Sequence, residues 1–269
     1  MKGFSLVEVL IATTITIGVG ALVFQLFHQN ERIFREENTL MEMQQTVRMV
    51  VSQIGDDIRI AGQSVPPGIS DIVLPGSSGH RLNLRAGFSG TESIVTTSLP
   101  LAIDTGIAIT IGVESVAGFS TGRQVYVWNG PDFLRALVGS VSGSAKTIRL
   151  TPTSGMEFST PPLIAPDEAI AIYRDGTNTV RRTTSTNTTN PSSPLWAPAN
   201  ELATNVTALS FLYYDAAGAP VTPDTAENRV TISSIEARVQ VRAAAAVGSG
   251  TLTVYSLSVR FHSRNLQYR

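Results

Sequence analysis

The first 30 residues are MKGFSLVEVLIATTITIGVGALVFQLFHQN, and this stretch decides how the rest of the chain is organised. No Asp, Glu, Lys or Arg occurs from Val9 to Asn30, yet Glu8 stands directly before this apolar run. About 20 helical residues cross a hydrocarbon core, so the segment from Phe4 to Phe27 is long enough to span a membrane. Because a carboxylate in such a span is energetically unfavourable, we expect Glu8 to have a compensating function.

The residues around the span favour a retained anchor with a cytoplasmic N-terminus. Lys2 precedes the apolar run, and positive charge is typical of the cytoplasmic side. The alternative is a secretory signal peptide, which is removed at a small-x-small cleavage site after its apolar core. No clear site of this kind follows the run, and the acid at Glu8 is atypical of signal peptides. We therefore predict that residues 4–27 form a transmembrane helix.

The helical periodicity continues beyond the membrane segment. Apolar residues recur in steps of three or four and form one stripe: Ile33, Leu40, Val47, Val51, Ile54, Ile58 and Ala61. Gly62, Pro66 and Pro67 then end the pattern. We predict one helix over roughly the first 60 residues, with a membrane half at 4–27 and an amphipathic half at 28–62. The apolar stripe should pack on the sheet that follows.

Length and composition limit the possible functions. The chain has 269 residues, enough for one or two domains, and a net charge of −1 with 15% charged residues. This charge provides no basic field for nucleic acid, so no nucleic-acid partner is predicted. The chain contains no cysteine, which excludes disulfides, thiolate metal sites and cysteine nucleophiles.

After residue 62 the sequence has the pattern of a β-rich head. In the segment 235–242 apolar and polar residues alternate, as expected for a strand with one face in water. The fold class predicted is therefore α+β, with a long N-terminal helix packed on a mostly antiparallel, β-rich globular head at 63–269. The candidate strands are 93–97, 106–111, 124–128, 146–150, 168–174, 178–182, 206–215, 232–243 and 251–262.

Two polar segments are predicted to lie outside the strands. The sequence DAAG at 215–218 is a turn signal between two strands. The sequence TTSTNTTNPSSP at 183–194 is of low complexity, and a solvated surface loop is the simplest interpretation.

The triplet Asp104-Thr105-Gly106 matches a short catalytic motif and has to be considered as one. Aspartic proteases use this triplet, but their chemistry requires two carboxylates that share a proton. The sequence contains no second copy of the triplet. A turn between two apolar strands is the better interpretation.

Candidate metal ligands are also few. The three histidines are far apart, and neither acidic pair belongs to a loop with alternating oxygen ligands and a central glycine. We therefore predict no metal, no cofactor and no enzymatic activity. The residues considered are His28, His80, His262, Asp56-Asp57 and Asp167-Glu168.

The N-terminal motif resembles a known signal. Gly3, Phe4 and Glu8, followed by an uninterrupted apolar helix, are similar to the class III signal of type IV pilins and type II secretion pseudopilins. The resemblance implies that prepilin peptidase cuts between Gly3 and Phe4 and methylates the new N-terminus at Phe4. The leader would then comprise residues 1–3, which is short for this family.

The resemblance also gives Glu8 a function. Pilins are stored in the membrane and are then moved by an inner-membrane assembly platform into a filament whose core is a bundle of these helices. There the carboxylate of Glu8 can meet the amino group on Phe4 of a neighbouring major or minor pilin. Such a charge-assisted hydrogen bond is more favourable in a low-dielectric core than a lone carboxylate in lipid. Glu8 and Phe4 are thus the expected assembly residues.

Further matches narrow the resemblance to minor pilins of the PilW type. These proteins pair a helix that ends in a stretch like RDIRMAG with a C-terminal sheet of a characteristic pattern. The present chain has DDIRIAG at 56–62, LSFLYYDAAG at 209–218, IEARVQVRA at 235–243 and RNL at 264–266. The middle of the chain, roughly 90–200 by its strand pattern, resembles no family that we can name.

The resemblance implies a minor type IV pilin that helps to initiate pilus assembly at or near the pilus tip, in motility, adhesion or DNA uptake. Such a subunit is stored in the bacterial inner membrane as a single-pass protein with a periplasmic head and then reaches the cell surface in the pilus. A type II secretion minor pseudopilin of the J type is one alternative. A membrane-anchored periplasmic binding or sensor domain that is never processed is another.

Overall fold

A computed structural model of the chain describes residues 6–187, 194–243 and 253–267. The helices of this part of the chain are α1 (Leu6–Ile60), α2 (Ala226–Thr231) and α3 (Arg264–Gln267). Its strands, in chain order, are β1 (Arg81–Arg85), β2 (Ser93–Ile94), β3 (Leu101–Ile103), β4 (Ile109–Gly112), β5 (Gln124–Asn129), β6 (Asp132–Ser142), β7 (Thr147–Pro152), β8 (Met156–Phe158), β9 (Leu163–Pro166), β10 (Ala169–Arg174), β11 (Val180–Asn187), β12 (Leu195–Trp196), β13 (Asn200–Ala203), β14 (Val206–Tyr214), β15 (Pro220–Val221), β16 (Ser234–Arg242) and β17 (Val254–His262).

The predicted α+β fold is confirmed: one long helix packs on a β-rich head whose strand pairs are antiparallel throughout the described residues. Helix α1 has 55 residues and is about 80 Å long at 1.5 Å per residue. Its buried residues begin at Met43 and continue through Val47 and Ile54 to Ile58. The predicted stripe is therefore right from Val47 onward but wrong at its start. Ile33 and Leu40 are 43% and 38% exposed, because they lie on the part of the helix that precedes the head.

Helix α1 and two sheets enclose the first hydrophobic core. One sheet has the strand order β15-β14-β16-β17, and the other has the order β1-β10-β11-β12 with β13 also paired to β11. Side chains from the helix, such as Val50 and Ile54, join Phe211, Ile235 and Ile170 from the sheets in this core. The alternation predicted for the segment 235–242 is confirmed, since one face of β16 is buried and the other faces water.

A second core lies inside a small β-barrel. Six strands follow the order β2-β9-β5-β6-β7-β4, and the first and last of them meet at an isolated bridge between Val95 and Val113. Backbone hydrogen bonds from Thr96 N to Gly112 O (2.8 Å) and from Glu114 N to Ile94 O (3.0 Å) lie beside this bridge. The sheet is therefore closed on itself, which removes the free edges of its strands. The barrel interior is filled by apolar side chains from residues 95–164.

Helix α1 and the two sheets around the first core form the first lobe of the head. The barrel is an insertion between two neighbouring strands of this lobe, β1 and β10. Arg85 at the end of β1 pairs with Ala169 at the start of β10, and Ala86 N donates to Glu168 O (3.2 Å). The chain thus leaves the sheet at Ala86 and returns to the same place at Glu168. The intervening residues build the barrel without interrupting the sheet that supports α1.

The candidate strands all overlap observed strands, but the sequence pattern missed several others. The longest one missed is β6, whose pairing with β7 shifts between Val138 and Ser140. This irregularity, next to Gly139, breaks the alternation that reveals a strand. The turn at 215–218 is confirmed by the hydrogen bond from Gly218 N to Asp215 O (3.1 Å).

The polar segment 183–194 is only partly the loop that was predicted. Its first five residues belong to β11, where Thr183 and Ser185 are buried. The prediction is wrong there because both hydroxyls bond within the head: Thr183 Oγ1 donates to Ala197 O (2.6 Å), and Ser185 Oγ accepts from Ala169 N (2.9 Å). Residues 188–193 lie outside the described residues.

Because the barrel has its own core, we expect its stability to be separable from that of the first lobe. Leu134→Ala, at a buried barrel position, should destabilise the barrel by about 2–5 kcal/mol. Amide hydrogen exchange should then become faster within 93–166 but not within 206–262. Leu209→Ala in the other core is the matched control and should show the reverse pattern. Equal acceleration of both regions by Leu134→Ala would mean that the two cores unfold as one unit.

Candidate membrane-spanning and assembly helix

The N-terminal part of α1 presents apolar side chains to its surroundings on every side. Every described residue from Leu6 to Arg35 is exposed, and the helix is long and apolar enough to cross a membrane. Glu8 lies in the first described turn of this segment. Gly3 and Phe4, the predicted cleavage and methylation residues, lie outside the described residues.

Three threonine hydroxyls in the apolar segment are satisfied within the helix. Thr14 Oγ1 donates to Leu10 O (2.8 Å) and Thr16 Oγ1 donates to Ala12 O (2.7 Å), while Thr13 donates to the carbonyl of Val9. A hydroxyl that bonds to the preceding helical turn does not need water. These threonines are therefore compatible with a lipid environment.

Charged residues appear on α1 directly after the apolar segment. Glu31 pairs with Arg35, and Arg32 Nε lies 3.4 Å from Glu36 Oε1; both pairs are one turn apart and exposed. Exposed pairs of this kind contribute only a few tenths of a kcal/mol to the helix. Their main effect here is to mark where the apolar segment ends.

The last part of α1 is fixed to the head by a buried ion pair. Asp57 accepts two hydrogen bonds from the guanidinium of Arg182 in β11, from Nε (2.9 Å) and Nη2 (3.0 Å). The carboxylate side chain is 3% exposed and that of Arg182 is 22% exposed. Arg182 also lies over the ring of Phe88, 5.8 Å from its centroid. A bidentate contact of this geometry fixes both the rotation and the axial position of the helix.

The C-terminal strand closes around the end of α1. The ring of Phe261 lies so close to Gly55 that a Cβ there would be 2.4 Å from Phe261 Cε1. Beyond the strand, Ser263 Oγ (3.0 Å) and Asn265 Nδ2 (3.1 Å) both donate to the carbonyl of Ala61. The structure thus brings the stretches 56–62 and 264–266 together.

A second buried ion pair lies where the barrel insertion begins and ends. The guanidinium of Arg85 contacts Asp71 Oδ2 (2.9 Å) through Nη1 and Asp167 Oδ1 (3.1 Å) through Nε. Burial lowers the pKa of Arg85, but the neighbouring Asp167, Tyr126 and Asp71 outweigh this effect and raise it. Burial, together with the charge of Asp167, raises the pKa of the Tyr126 hydroxyl. The cation Arg85 therefore holds the two crossing segments of the insertion together.

Both of these ion pairs were missed in the sequence. Asp57 and Asp167 each belong to an acidic pair that was considered only as a candidate metal ligand. Sequence spacing carries no signal that pairs Asp57 with Arg182, 125 residues away. In the sequence RLNLR of β1, Arg85 falls at an alternate polar position like Arg81 and Asn83, so the pattern gives no signal that it is buried.

The other residues that were considered as catalytic or metal-binding candidates do not form a site in the described part of the chain. The triplet Asp104-Thr105-Gly106 lies between β3 and β4, as predicted, and Gly106 has a positive φ of 72°. In the described part of the chain no three His, Asp or Glu residues form a group that could hold a metal.

The chain matches no model of a known protein family, and no curated protein matches it either. The pilin resemblance therefore depends on the motifs in the chain itself.

We predict that Asp57 contributes much more to the anchoring of α1 than its neighbour Asp56. Asp57→Ala should lower the free energy of unfolding by about 3 kcal/mol, at the low end for buried pairs because Arg182 keeps some access to water. Asp56 is 62% exposed and pairs with the exposed Arg59, so Asp56→Ala should cost at most about 1 kcal/mol. Urea denaturation of the full chain in detergent micelles measures both. Similar losses for the two variants would contradict the anchoring role.

Proposed function

We propose that the protein is a minor type IV pilin, a structural subunit that helps to initiate pilus assembly at or near the pilus tip. The observation that carries the proposal is the chemistry of α1. Its first part is an exposed apolar segment with one carboxylate, Glu8, near its start, and its last part is fixed rigidly to a globular head. A simple membrane anchor has no need for a carboxylate at that position or for a continuous rigid connection to its head.

The proposed mechanism uses the two parts of α1 in sequence. In the inner membrane the apolar segment lies in lipid with the head in the periplasm. Prepilin peptidase removes residues 1–3 and methylates Phe4. On extraction by the assembly platform, the segment exchanges lipid for the helices of neighbouring pilins, and Glu8 binds the Phe4 ammonium of an adjacent subunit. The rigid junction at Asp57 transmits the position of the helix to the head.

The size of the head supports a subunit of low copy number. The inserted barrel adds a second lobe beyond the helix and sheets of the first lobe. A bulky head is easier to accommodate at a filament end than at every position along a helical array. A J-type pseudopilin of type II secretion shares this argument, and the two are separated by phenotype. Loss of pili identifies the pilus subunit, whereas loss of secreted proteins with intact pili identifies the pseudopilin.

Processing at Gly3 tests whether the chain is a prepilin at all. The mature protein should begin at methylated Phe4, and Gly3→Val should abolish cleavage because the peptidase site is lost. Gly18→Val is the matched control: a side chain at Gly18 meets no neighbouring atom within the chain, and cleavage should be retained. Mass spectrometry of the N-terminus provides the measurement. A chain that retains Met1, or one cut near residue 30, would exclude the pilin and favour an unprocessed sensor or a secreted protein.

Substitution of Glu8 tests assembly separately from membrane insertion. Glu8→Val should leave the amount of protein in the membrane unchanged or higher, because it removes an unfavourable group from the span. Surface pili per cell should fall, because the neighbouring Phe4 ammonium loses its partner in the helix bundle. Glu37→Val, an exposed carboxylate on the same helix beyond the span, should leave the pilus count unchanged. Normal piliation by Glu8→Val at normal protein level would show that Glu8 serves no assembly function.

A further inference from the structure

Strand β17 forms a long and regular edge of the C-terminal sheet. It is the last strand in the order β15-β14-β16-β17, and it pairs with β16 over nine consecutive residues without a shift of register. Soluble proteins usually protect such edges with charged side chains, a proline, a bulge or a covering segment, and the one arginine of this strand is Arg260. The strand VYSLSVRFH contains no proline and no bulge.

The backbone groups that face outward from this edge can be identified. Arg242 N donates to Asn205 O on the β14 side of β16, and Ala243 N donates to Thr253 O on the β17 side. Because the direction alternates along an antiparallel strand, Ser256 and Ser258 direct their N–H and C=O groups away from β16. The backbone hydrogen bonds of the described residues include none from these outward-facing amides.

An open groove lies on the surface of α1, on the flank of the helix that contacts β17. Residues three or four apart share a helix face, so Met41, Gln45, Arg48 and Ser52 continue the row of Gly55, which touches Phe261 of β17. These four side chains, with Gln44 and Met49, line a groove of about 610 Å³. On the neighbouring strand, the inward-facing side chains are only half-buried although they pack on the core: Tyr255, Leu257 and Val259.

We propose that this edge binds an extended segment of another protein as an additional antiparallel or parallel strand. The added strand would pair with the outward amides of β17, and its inward side chains would fill the groove beside α1. Apolar residues at alternate positions suit the half-buried row of β17 and the exposed Met41 and Met49. This interaction is independent of the proposed pilus function and of Glu8.

The charge of the groove specifies the partner further. Arg48 is exposed and takes part in none of the ion pairs of the described residues. A carboxylate on the added strand would complement it. A second copy of β17 cannot supply that group, because the strand has an arginine and no acidic residue. The partner is therefore a different chain whose segment alternates apolar residues and carries at least one Asp or Glu.

A display library of nine-residue peptides, selected against the full chain in detergent micelles, tests this proposal. The enriched peptides should have apolar residues at alternate positions and an acidic residue. Their affinity should fall at least tenfold for Ser256→Pro, which removes one outward N–H, and stay within twofold for the matched Ser256→Ala. Arg48→Ala should weaken acidic peptides several-fold. Failure to enrich such peptides, or equal binding by Ser256→Pro, would overturn the proposal.

Two further measurements separate strand pairing from misfolding of the Ser256→Pro variant and from self-association of the chain. Two versions of an enriched peptide, N-methylated at either the odd-numbered or the even-numbered amides, should differ: one should lose binding and the other should keep it. This result does not depend on whether Ser256→Pro folds. Equal binding by both methylated peptides would exclude strand pairing. Sedimentation without peptide should show a single subunit in each micelle. A dimer that Ser256→Pro dissociates would mean that the edge binds a second copy, which overturns the choice of partner.

Discussion

The contact between the last part of α1 and the two sheets is the constraint on which the structure depends. One helix is exposed along its apolar start and buried against the head along its end. The bidentate pair of Asp57 and Arg182 and the close approach of Phe261 to Gly55 hold this end against the head. Both contacts lie within a few residues of the helix end, so the head fixes the helix without covering its first half.

The position of the inserted barrel leaves the contact between α1 and the two sheets intact. The chain leaves and re-enters the first lobe at one hydrogen-bonded pair of neighbouring strands, Arg85 and Ala169. The barrel also packs against the first lobe, because its residues Tyr126, Trp128 and Ala165 belong to the first core. Its closed sheet leaves no edge for unwanted pairing, in contrast to β17. Arg85, with its carboxylate partners Asp71 and Asp167, holds the two crossing segments of the insertion together.

The sequence predicted the fold class, the extent of α1 and long alternating strands such as β16 and β17, because those features are local and periodic. It missed the short β1, although RLNLR also alternates. It could not show that the strands between residues 93 and 166 close into a barrel. Closure depends on the pairing of Val95 with Val113, and neither residue carries a signal for the other. The anchor at Asp57 was missed for the same reason: its partner is remote in sequence, and an acid on an amphipathic helix usually faces water. The error at Ile33 and Leu40 has a different cause: periodicity identifies the apolar face of a helix, but it does not show whether another part of the protein covers that face.

Two exposed surfaces of the chain, the first part of α1 and the edge of β17, need partners of different chemistry. The first part of α1 offers side chains and no free backbone groups, so lipid and other apolar helices satisfy it equally well apart from Glu8. The edge of β17 offers backbone amides, which neither lipid nor a helix can pair. A single partner of one kind therefore cannot satisfy both surfaces. The end of α1 lies against β17 through Gly55 and Phe261, so a strand bound in the groove would rest on the same helix whose other end is long and apolar enough to cross a membrane.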